Sequence, residues 1–236
     1  MGIKERHGRE REAIRRAILD AARDLFVQEG YQNVSIRKIA ERIEYSPAAI
    51  YGYFPSKDDI FFALAEEGFR LLHGDGGSYT ALESSLPPLE RIRTIFLRLY
   101  EYSREHPQYF ALMFVDRSVP RISREYERFA FAREMKDHLI RQVRECIKAG
   151  VFNSDLQPEV ALRLLTTGIV GIAVMRLSER LGPSENADDL ASDVLDITIA
   201  GLQSGIPLRS HFSTLCPDDE VALAPGRESL PTGAVS

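Results

Sequence analysis

Two closely spaced helix-start signals constrain the fold of this chain more than any other feature. Ser35 precedes IRKIAERI, and Ser46 precedes PAAIYGYF, with Pro47 at the first helical position, where its missing N–H costs nothing. Apolar residues recur at helical spacing in the first segment: Ile36, Ile39, Ala40 and Ile43. The sequence therefore predicts two helices of about eight residues joined by a turn of about three residues, which is a helix-turn-helix.

Helical periodicity extends through most of the chain, and no stretch shows sustained period-two alternation. The predicted helices cover residues 10–29, 56–73, 87–105, 107–115, 122–149, 158–181 and 186–204, with a loop between 73 and 87. We predict an all-α fold with a compact unit at 10–56 and a larger helical body at 57–205. Residues 206–236 contain four prolines and little periodicity, so we expect a disordered tail.

The composition excludes several classes of protein. Charged residues interrupt the apolar runs and the N-terminal segment is charged, so we expect neither a membrane span nor a secretory signal, and a cytoplasmic location. Cys146 and Cys216 are far apart and form no ligand cluster with the five histidines. We therefore expect free thiols, one of them buried, and no metal or cofactor.

The charge is unevenly distributed along the chain. The net charge is −5, but residues 1–57 carry 11 Lys and Arg against 8 Asp and Glu, a net of +3, which leaves −8 for the remainder. A basic N-terminal unit on an acidic body indicates a localised anion-binding face, although so small an excess could also arise by chance.

The second short helix has two different faces. Ile50 and Phe54 are four residues apart and should pack inward, whereas Pro47, Ala48 and Tyr51 share the opposite face. Such a helix can enter a DNA major groove, where the tyrosine ring could contact a thymine methyl group or its hydroxyl a phosphate. Alternatively, the tyrosines only cover the domain surface. Gly52 would cost about 1 kcal/mol inside a helix, consistent with close approach to another helix or to DNA.

The stretches SIRKIAER and YSPAAIYGYFPSKDDI resemble the N-terminal DNA-binding domain of the TetR family of bacterial transcriptional regulators. The resemblance covers residues 10–73, and its most specific part is the run IYGYFPSK. It implies that Arg37, or Lys38 beside it, reaches a base or a phosphate, and that Lys57 binds a phosphate. The complete DNA-contacting set implied is Ser35, Arg37, Lys38, Ser46, Pro47, Ala48, Tyr51, Tyr53 and Lys57.

One residue departs from the family pattern. The family usually places a small residue, often glycine, in the turn where this chain has Glu44. A glutamate adopts a left-handed backbone only at a cost, and its charge would repel DNA unless it points away.

The resemblance also implies that the C-terminal helices bind a small molecule and form a homodimer. Two stripes suit such an interface: Leu164, Gly168, Gly171 and Met175, and Leu190, Val194, Ile197 and Gly201, although either could instead be core. We predict a pocket for a largely apolar effector lined by Phe96, Tyr100, Met113, Phe114, His138 and Met175.

These features predict a ligand-responsive repressor that binds a palindromic operator in double-stranded DNA as a dimer, with activation as a variant of the same class. The alternative from another class is a helical carrier or enzyme without a DNA role. The sequence contains no triad spacing, metal cluster or phosphate-binding glycine loop, so we expect no enzymatic activity.

Overall fold

A computed structural model describes residues 3–73, 85–120 and 130–212, and within these ranges the chain is helical without a β-strand. The order is α1 (Ile3–Glu29), a 3₁₀ turn (Tyr31–Asn33), α2 (Ile36–Arg42), α3 (Pro47–Tyr51), α4 (Lys57–His73), α5 (Pro88–Glu105), α6 (Pro107–Phe110), a π-helical turn (Ala111–Val115), α7 (Ala130–Lys148), α8 (Pro158–Leu177) and α9 (Ala187–Gln203). The all-α prediction is confirmed.

The N-terminal unit is a three-helix arrangement in which α1 packs on α2 and α2 packs on α3. Its core contains Ile18 and Phe26 from α1, Ile39 from α2 and Ile50 from α3, all almost completely buried. Helix α1 begins seven residues before the predicted start at residue 10. Its first turns lack an apolar stripe but are supported by the Arg6–Glu10 pair at i, i+4 spacing.

Helix α3 is shorter than predicted, because it ends at Tyr51 after five residues. Gly52 is therefore the residue that ends the helix and not an interior residue, and its φ of −71° is open to any amino acid. A Cβ at this position would lie 3.2 Å from the Ala49 carbonyl oxygen, in its own turn. No atom of another described helix lies within 4 Å of this position, so the structure does not support close approach to another helix, and close approach to DNA stays a prediction.

Helix α4 connects the two parts of the chain. It packs on α1 in the N-terminal unit and on α5, α6 and α7 in the body. Ile60, Phe61 and Leu64 on its inner face are buried. The buried side chains of the N-terminal unit and of the body belong to one continuous hydrophobic cluster. A shift of α4 would therefore change the packing in both parts.

Helix α8 lies at the centre of the body, where it packs on α9, α5 and α7. It packs tightly on α9 at Gly168, where a Cβ would lie 2.6 Å from Val194 Cγ1. Within the described ranges, α8 alone has the length and apolar composition to cross a membrane, a combination that core helices of water-soluble proteins also have. Only 33% of its most apolar window is buried within the subunit.

The boundary at the end of α8 also differs from the prediction. Helix α8 ends at Leu177 and not at 181, because Glu179 takes a positive φ of 53° and the Arg180 N–H turns back to the Met175 carbonyl. Residues 206–212 follow the body closely enough for the Phe212 N–H to donate to Gln157 Oε1 at 2.7 Å. The structure thus describes the first seven residues of the predicted tail, and its remaining residues, 213–236, lie outside the described residues.

Candidate nucleic-acid interface and effector cavity

The short helices α2 and α3 present one polar, exposed surface. Ser35 and Ser46 each accept a hydrogen bond at 3.2 Å from the backbone N–H three residues later, so both predicted caps are present. Seven of the nine predicted DNA-contacting residues are exposed: Ser35, Arg37, Lys38, Ser46, Pro47, Ala48 and Tyr51. Because Ile50 faces the core, only the opposite face of α3 is available to a partner. Tyr51 lies on that face and is 55% exposed.

The two cations of α2 that are predicted to contact DNA, Arg37 and Lys38, differ in their contacts. Arg37 donates to Glu41 one turn later at 2.8 Å, and its side chain is 80% exposed. An ion pair this exposed contributes little to stability, so Arg37 can exchange Glu41 for a phosphate. Lys38 instead pairs with Glu29 at the end of α1 and donates to the Asn33 carbonyl at 3.2 Å. Arg37 is therefore the more available cation of the two.

Lys57 is half-buried and is held by the turn that follows α1. Its ammonium donates to the carbonyls of Tyr31 at 2.8 Å and Val34 at 2.9 Å and lies 4.1 Å from the centre of the Tyr31 ring. Burial lowers the pKa of Lys57. These contacts assign the ammonium a structural role, and its predicted phosphate contact stays a prediction.

Tyr53 lies at the edge of the same surface and is also half-buried. The guanidinium of Arg11 stacks over its ring at 5.4 Å, and that of Arg15 stacks over Phe54 at 5.3 Å. These contacts fix the segment after α3 against α1. The Tyr53 side chain is therefore oriented by α1 before any partner binds.

The turn between α2 and α3 has the geometry that the family pattern suggests. Glu44 takes a φ of +58°, in the left-handed region that glycine favours. The next N–H, that of Tyr45, returns to the Ala40 carbonyl at 2.9 Å and closes the end of α2. Glu44 is exposed, so its charge stands at the edge of the α2–α3 surface.

A cavity of about 240 Å³ lies in the body between α4, α5, α7 and α8. Its wall is mainly apolar and includes three residues of the predicted pocket, Phe96, Phe114 and His138. Phe114 comes from the π-helical turn and Phe69 from α4. Phe212, the last described residue, also lines this cavity. Because α4 forms one wall, the cavity touches the helix that joins the body to the N-terminal unit.

The other three predicted pocket residues lie elsewhere. The Tyr100 hydroxyl donates to Asp188 at 2.8 Å, at the start of α9, and burial raises the pKa of Tyr100 to about 12. Met113 accepts a hydrogen bond from the Tyr102 hydroxyl at 3.2 Å, facing α4 at Gly68. Met175 is 38% exposed on the outer side of α8. Helical spacing placed these residues on apolar faces but could not distinguish the cavity from neighbouring contacts.

A polar network that the sequence did not reveal joins α1, α4 and α6. The Tyr109 hydroxyl donates to Glu67 at 2.8 Å, and Arg16 donates to the same Glu67 oxygen. Arg16 also pairs with Asp20, which in turn pairs with Arg23 at 2.9 Å. The Arg16 hydrogen bond holds the pKa of Asp20 below its usual value. The one signal in the sequence was the helical spacing of residues 16, 20 and 23 on α1.

The described residues contain no cluster of three or more His, Cys, Asp or Glu that could hold a metal ion. Cys146 is free and buried, as predicted for one of the thiols, and burial raises its pKa to about 11. Cys216 lies outside the described residues.

The sequence matches two family models in the same order as the two structural parts. Residues 18–64 match the model described as bacterial regulatory proteins, tetR family, and residues 92–198 match the tetracyclin repressor-like C-terminal domain. The chain belongs to the TetR family of transcriptional regulators.

Two relatives illustrate where the similarity lies. The chain is 46% identical over 55 residues to the transcriptional repressor Rv1474c of Mycobacterium tuberculosis, covering 23% of this chain and 29% of that protein. It is 30% identical over 132 residues to the repressor KstR of Rhodococcus jostii, covering 52% and 60%. The matched stretches thus span less than two thirds of these relatives.

The fold is also found in solved structures. The regulator FadR from Bacillus subtilis, solved in complex with stearoyl-CoA, matches with a TM-score of 0.65 at 16% identity, covering 78% of this chain and 97% of that one. At this identity the similarity concerns the fold alone.

Proposed function

We propose that this protein is a transcriptional repressor that binds a palindromic operator in double-stranded DNA as a homodimer in the cytoplasm and releases it when a small effector enters the body. The observation that carries the proposal is the orientation of α3. Ile50 anchors it in the core, and Pro47, Ala48 and Tyr51 are left exposed together. Its caps and exposed face fit a recognition helix with its N-terminal residues against base edges.

The homodimer is supported by an apolar surface on α8 and α9. Ile197 is 71% exposed and Met175 is 38% exposed in the single subunit, and both belong to the predicted interface stripes. A Cβ built on Gly171 or Gly201 would meet no atom within 4 Å, so close approach of another helix is possible there. Gly168 and Val194, by contrast, pack against each other within the subunit. A helix as apolar as α8 requires cover on its remaining face, which a second subunit would supply.

The response to an effector would be transmitted through α4. Phe69, Leu72 and His73 at its C-terminal end line the cavity, whereas its N-terminal end at Lys57 contacts the turn after α1. A dimer reads two half-sites when its recognition helices are roughly 34–36 Å apart. An effector that binds more tightly to a form with another spacing would lower the affinity for the operator.

The test is titration of the full chain onto the DNA upstream of its own gene, followed by fluorescence anisotropy at several salt concentrations. Tyr51→Ala should weaken binding by about tenfold, the loss expected for one good contact per subunit. Tyr51→Phe keeps the ring and removes the hydroxyl, so it distinguishes their contributions to DNA binding. Arg37→Ala should reduce the slope of log affinity against log salt by about 0.9 for each phosphate that the side chain neutralises.

Arg180→Ala is a matched control, because Arg180 is exposed in the turn after α8, far along the chain from the α2–α3 surface. It should change neither the affinity nor the salt slope. If Tyr51→Ala and Arg37→Ala both bind as the unmodified protein does, α3 is not the recognition helix.

A further inference from the structure

We infer that the effector of this cavity is an amphipathic anion, an apolar chain or body that carries an anionic head group. The inference rests on the proposed function, because it names the chemical class of ligand for the same cavity. The sequence alone predicted a largely apolar effector, since its pocket residues carried no concentrated charge. The wall of the cavity in the folded protein includes polar residues that were not in the predicted pocket, and these residues favour a ligand with a polar end.

Basic side chains from three helices line the cavity. Arg98 is on α5, Lys136 on α7 and Arg163 on α8, whereas Glu159 is the single carboxylate among the described lining residues. The Glu159 carboxylate lies 3.6 Å from Arg144, a cation outside the lining. The lining therefore has an excess of positive charge beside an apolar wall, where an anion interacts more strongly than in water.

The individual contacts identify which cations can serve a ligand. The Arg98 guanidinium already donates to Glu105 at 2.9 Å. Arg163 is exposed at the rim and forms no ion pair with any residue that the structure describes. Lys136 is also exposed, and an exposed cation can exchange a present contact for a ligand at little cost. Arg163 and Lys136 are therefore the residues that we assign to the anionic head group.

Two imidazoles add hydrogen-bonding capacity to the same cavity. The rings of His73 and His138 have centroids 6.2 Å apart, and both residues belong to the lining. His73 stands at the end of α4, and Phe69, one turn earlier, belongs to the apolar wall. A ligand with an apolar part and a polar end would thus contact both kinds of surface on α4, the helix proposed to move.

The test compares four probes of one chain length by calorimetry with the full chain: decanoate, decanoyl-coenzyme A, decanol and decylamine. The free acid and the thioester are two sources of the same chemistry, an apolar chain with an anionic end. At least one of them should bind about tenfold more tightly than decanol, which corresponds to one charge-assisted hydrogen bond. Decylamine should bind most weakly of the four.

Variants assign the head group to its residues. The double variant Lys136→Gln with Arg163→Gln should lose about tenfold in affinity for the preferred anion but keep its affinity for decanol within about twofold. The charge-conserving double variant Lys136→Arg with Arg163→Lys should retain anion binding. Arg141→Gln is the matched control, because Arg141 is exposed on α7 but does not line the cavity.

Four results would overturn the inference. Decanol could bind as tightly as both anions, none of the four probes could bind, or the neutral double variant could keep its full affinity for both anions. The fourth is failure of the charge-conserving variant to bind the anion. Decanol binding by each double variant reports on its folding. DNA binding without any probe is measured separately, so loss of the DNA-binding proposal and loss of the ligand class remain distinguishable.

Discussion

The Tyr109 hydroxyl lies 2.8 Å from Glu67 Oε1 and joins α6 of the body to α4. Arg16 of the N-terminal unit bonds to the same carboxylate oxygen, so Glu67 is shared by both parts of the chain. The residue two positions after Glu67 is Phe69, in the wall of the cavity. A ligand that displaces Phe69 would therefore disturb a contact that α1 also uses.

Tyr109→Phe should weaken the coupling between ligand and DNA. The ring and its stacking with Arg23 remain, and only the hydroxyl is removed, at a cost of about 1 kcal/mol in the free energy of unfolding. Because coupling energies between sites are typically of this order, the effect of decanoate on operator affinity should fall about fivefold. Anisotropy titrations with and without decanoate measure this ratio.

Tyr102→Phe serves as the control for this experiment. It also removes a buried hydroxyl, but that hydroxyl donates to Met113, a residue of the body. Equal loss of coupling in both variants would contradict a specific role for the Tyr109–Glu67 bond.

Lys57→Met should destabilise the folded protein by about 1–3 kcal/mol, because the Tyr31 and Val34 carbonyls lose a charged donor. Chemical denaturation measures the change, with Lys38→Met as the exposed control, which should cost less than about 1 kcal/mol. If stability is unchanged and the salt slope of DNA binding falls, Lys57 acts at a phosphate and its contacts in the free protein are incidental.

Glu44→Gly should raise the free energy of unfolding by about 1 kcal/mol. A non-glycine residue in the left-handed region costs roughly 1–2 kcal/mol, and the greater freedom of glycine in the unfolded chain offsets part of this gain. Thermal unfolding is the measurement. Glu44→Gln removes the charge but keeps the strain, so it should not stabilise the protein, and it separates any gain in DNA affinity due to charge from one due to backbone relief.

Gly168→Ala should lower the melting temperature, because the new methyl group would lie 2.6 Å from Val194 Cγ1. Overpacking of this kind costs about 1–3 kcal/mol, more than the gain of about 1 kcal/mol from replacing a helical glycine. Adding Val194→Ala to this variant should restore stability. A variant as stable as the unmodified protein would mean that α8 and α9 are less closely packed.

Ile197→Glu should convert the proposed dimer into a monomer, because a carboxylate would enter the proposed interface. Sedimentation velocity gives the molecular mass in solution. Ile206→Glu is the matched control, since Ile206 is 61% exposed but lies outside both stripes. A dimer that survives Ile197→Glu would show that α9 is not part of the interface.

The short helices were predictable from the sequence because the determinants of a helix start are local. Ser35 and Ser46 cap their own helices through N–H groups three residues away. Glu44 could likewise be identified as a special position, since the family pattern has a small residue, often glycine, there, and its φ of 58° is in the left-handed region.

The cavity and the position of Lys57 were not predictable in the same way. The partners of Lys57 are backbone carbonyls of a 3₁₀ turn more than twenty residues earlier, and a sequence pattern does not reveal them. Phe96 and Tyr100 are one turn apart on α5, yet one lines the cavity and the other bonds to Asp188. The difference depends on how neighbouring helices are arranged around α5, which periodicity does not specify.

The shared use of Glu67 has a consequence for building chimeric regulators. An exchange of N-terminal units between family members would divide the chain near residue 56. Such a division separates Arg16 and Asp20 from Glu67 and Tyr109. The transplanted unit would place other side chains at the positions of Arg16 and Asp20, and these side chains need not bind Glu67. The exchange should preserve effector control only when these four positions are transferred as one set.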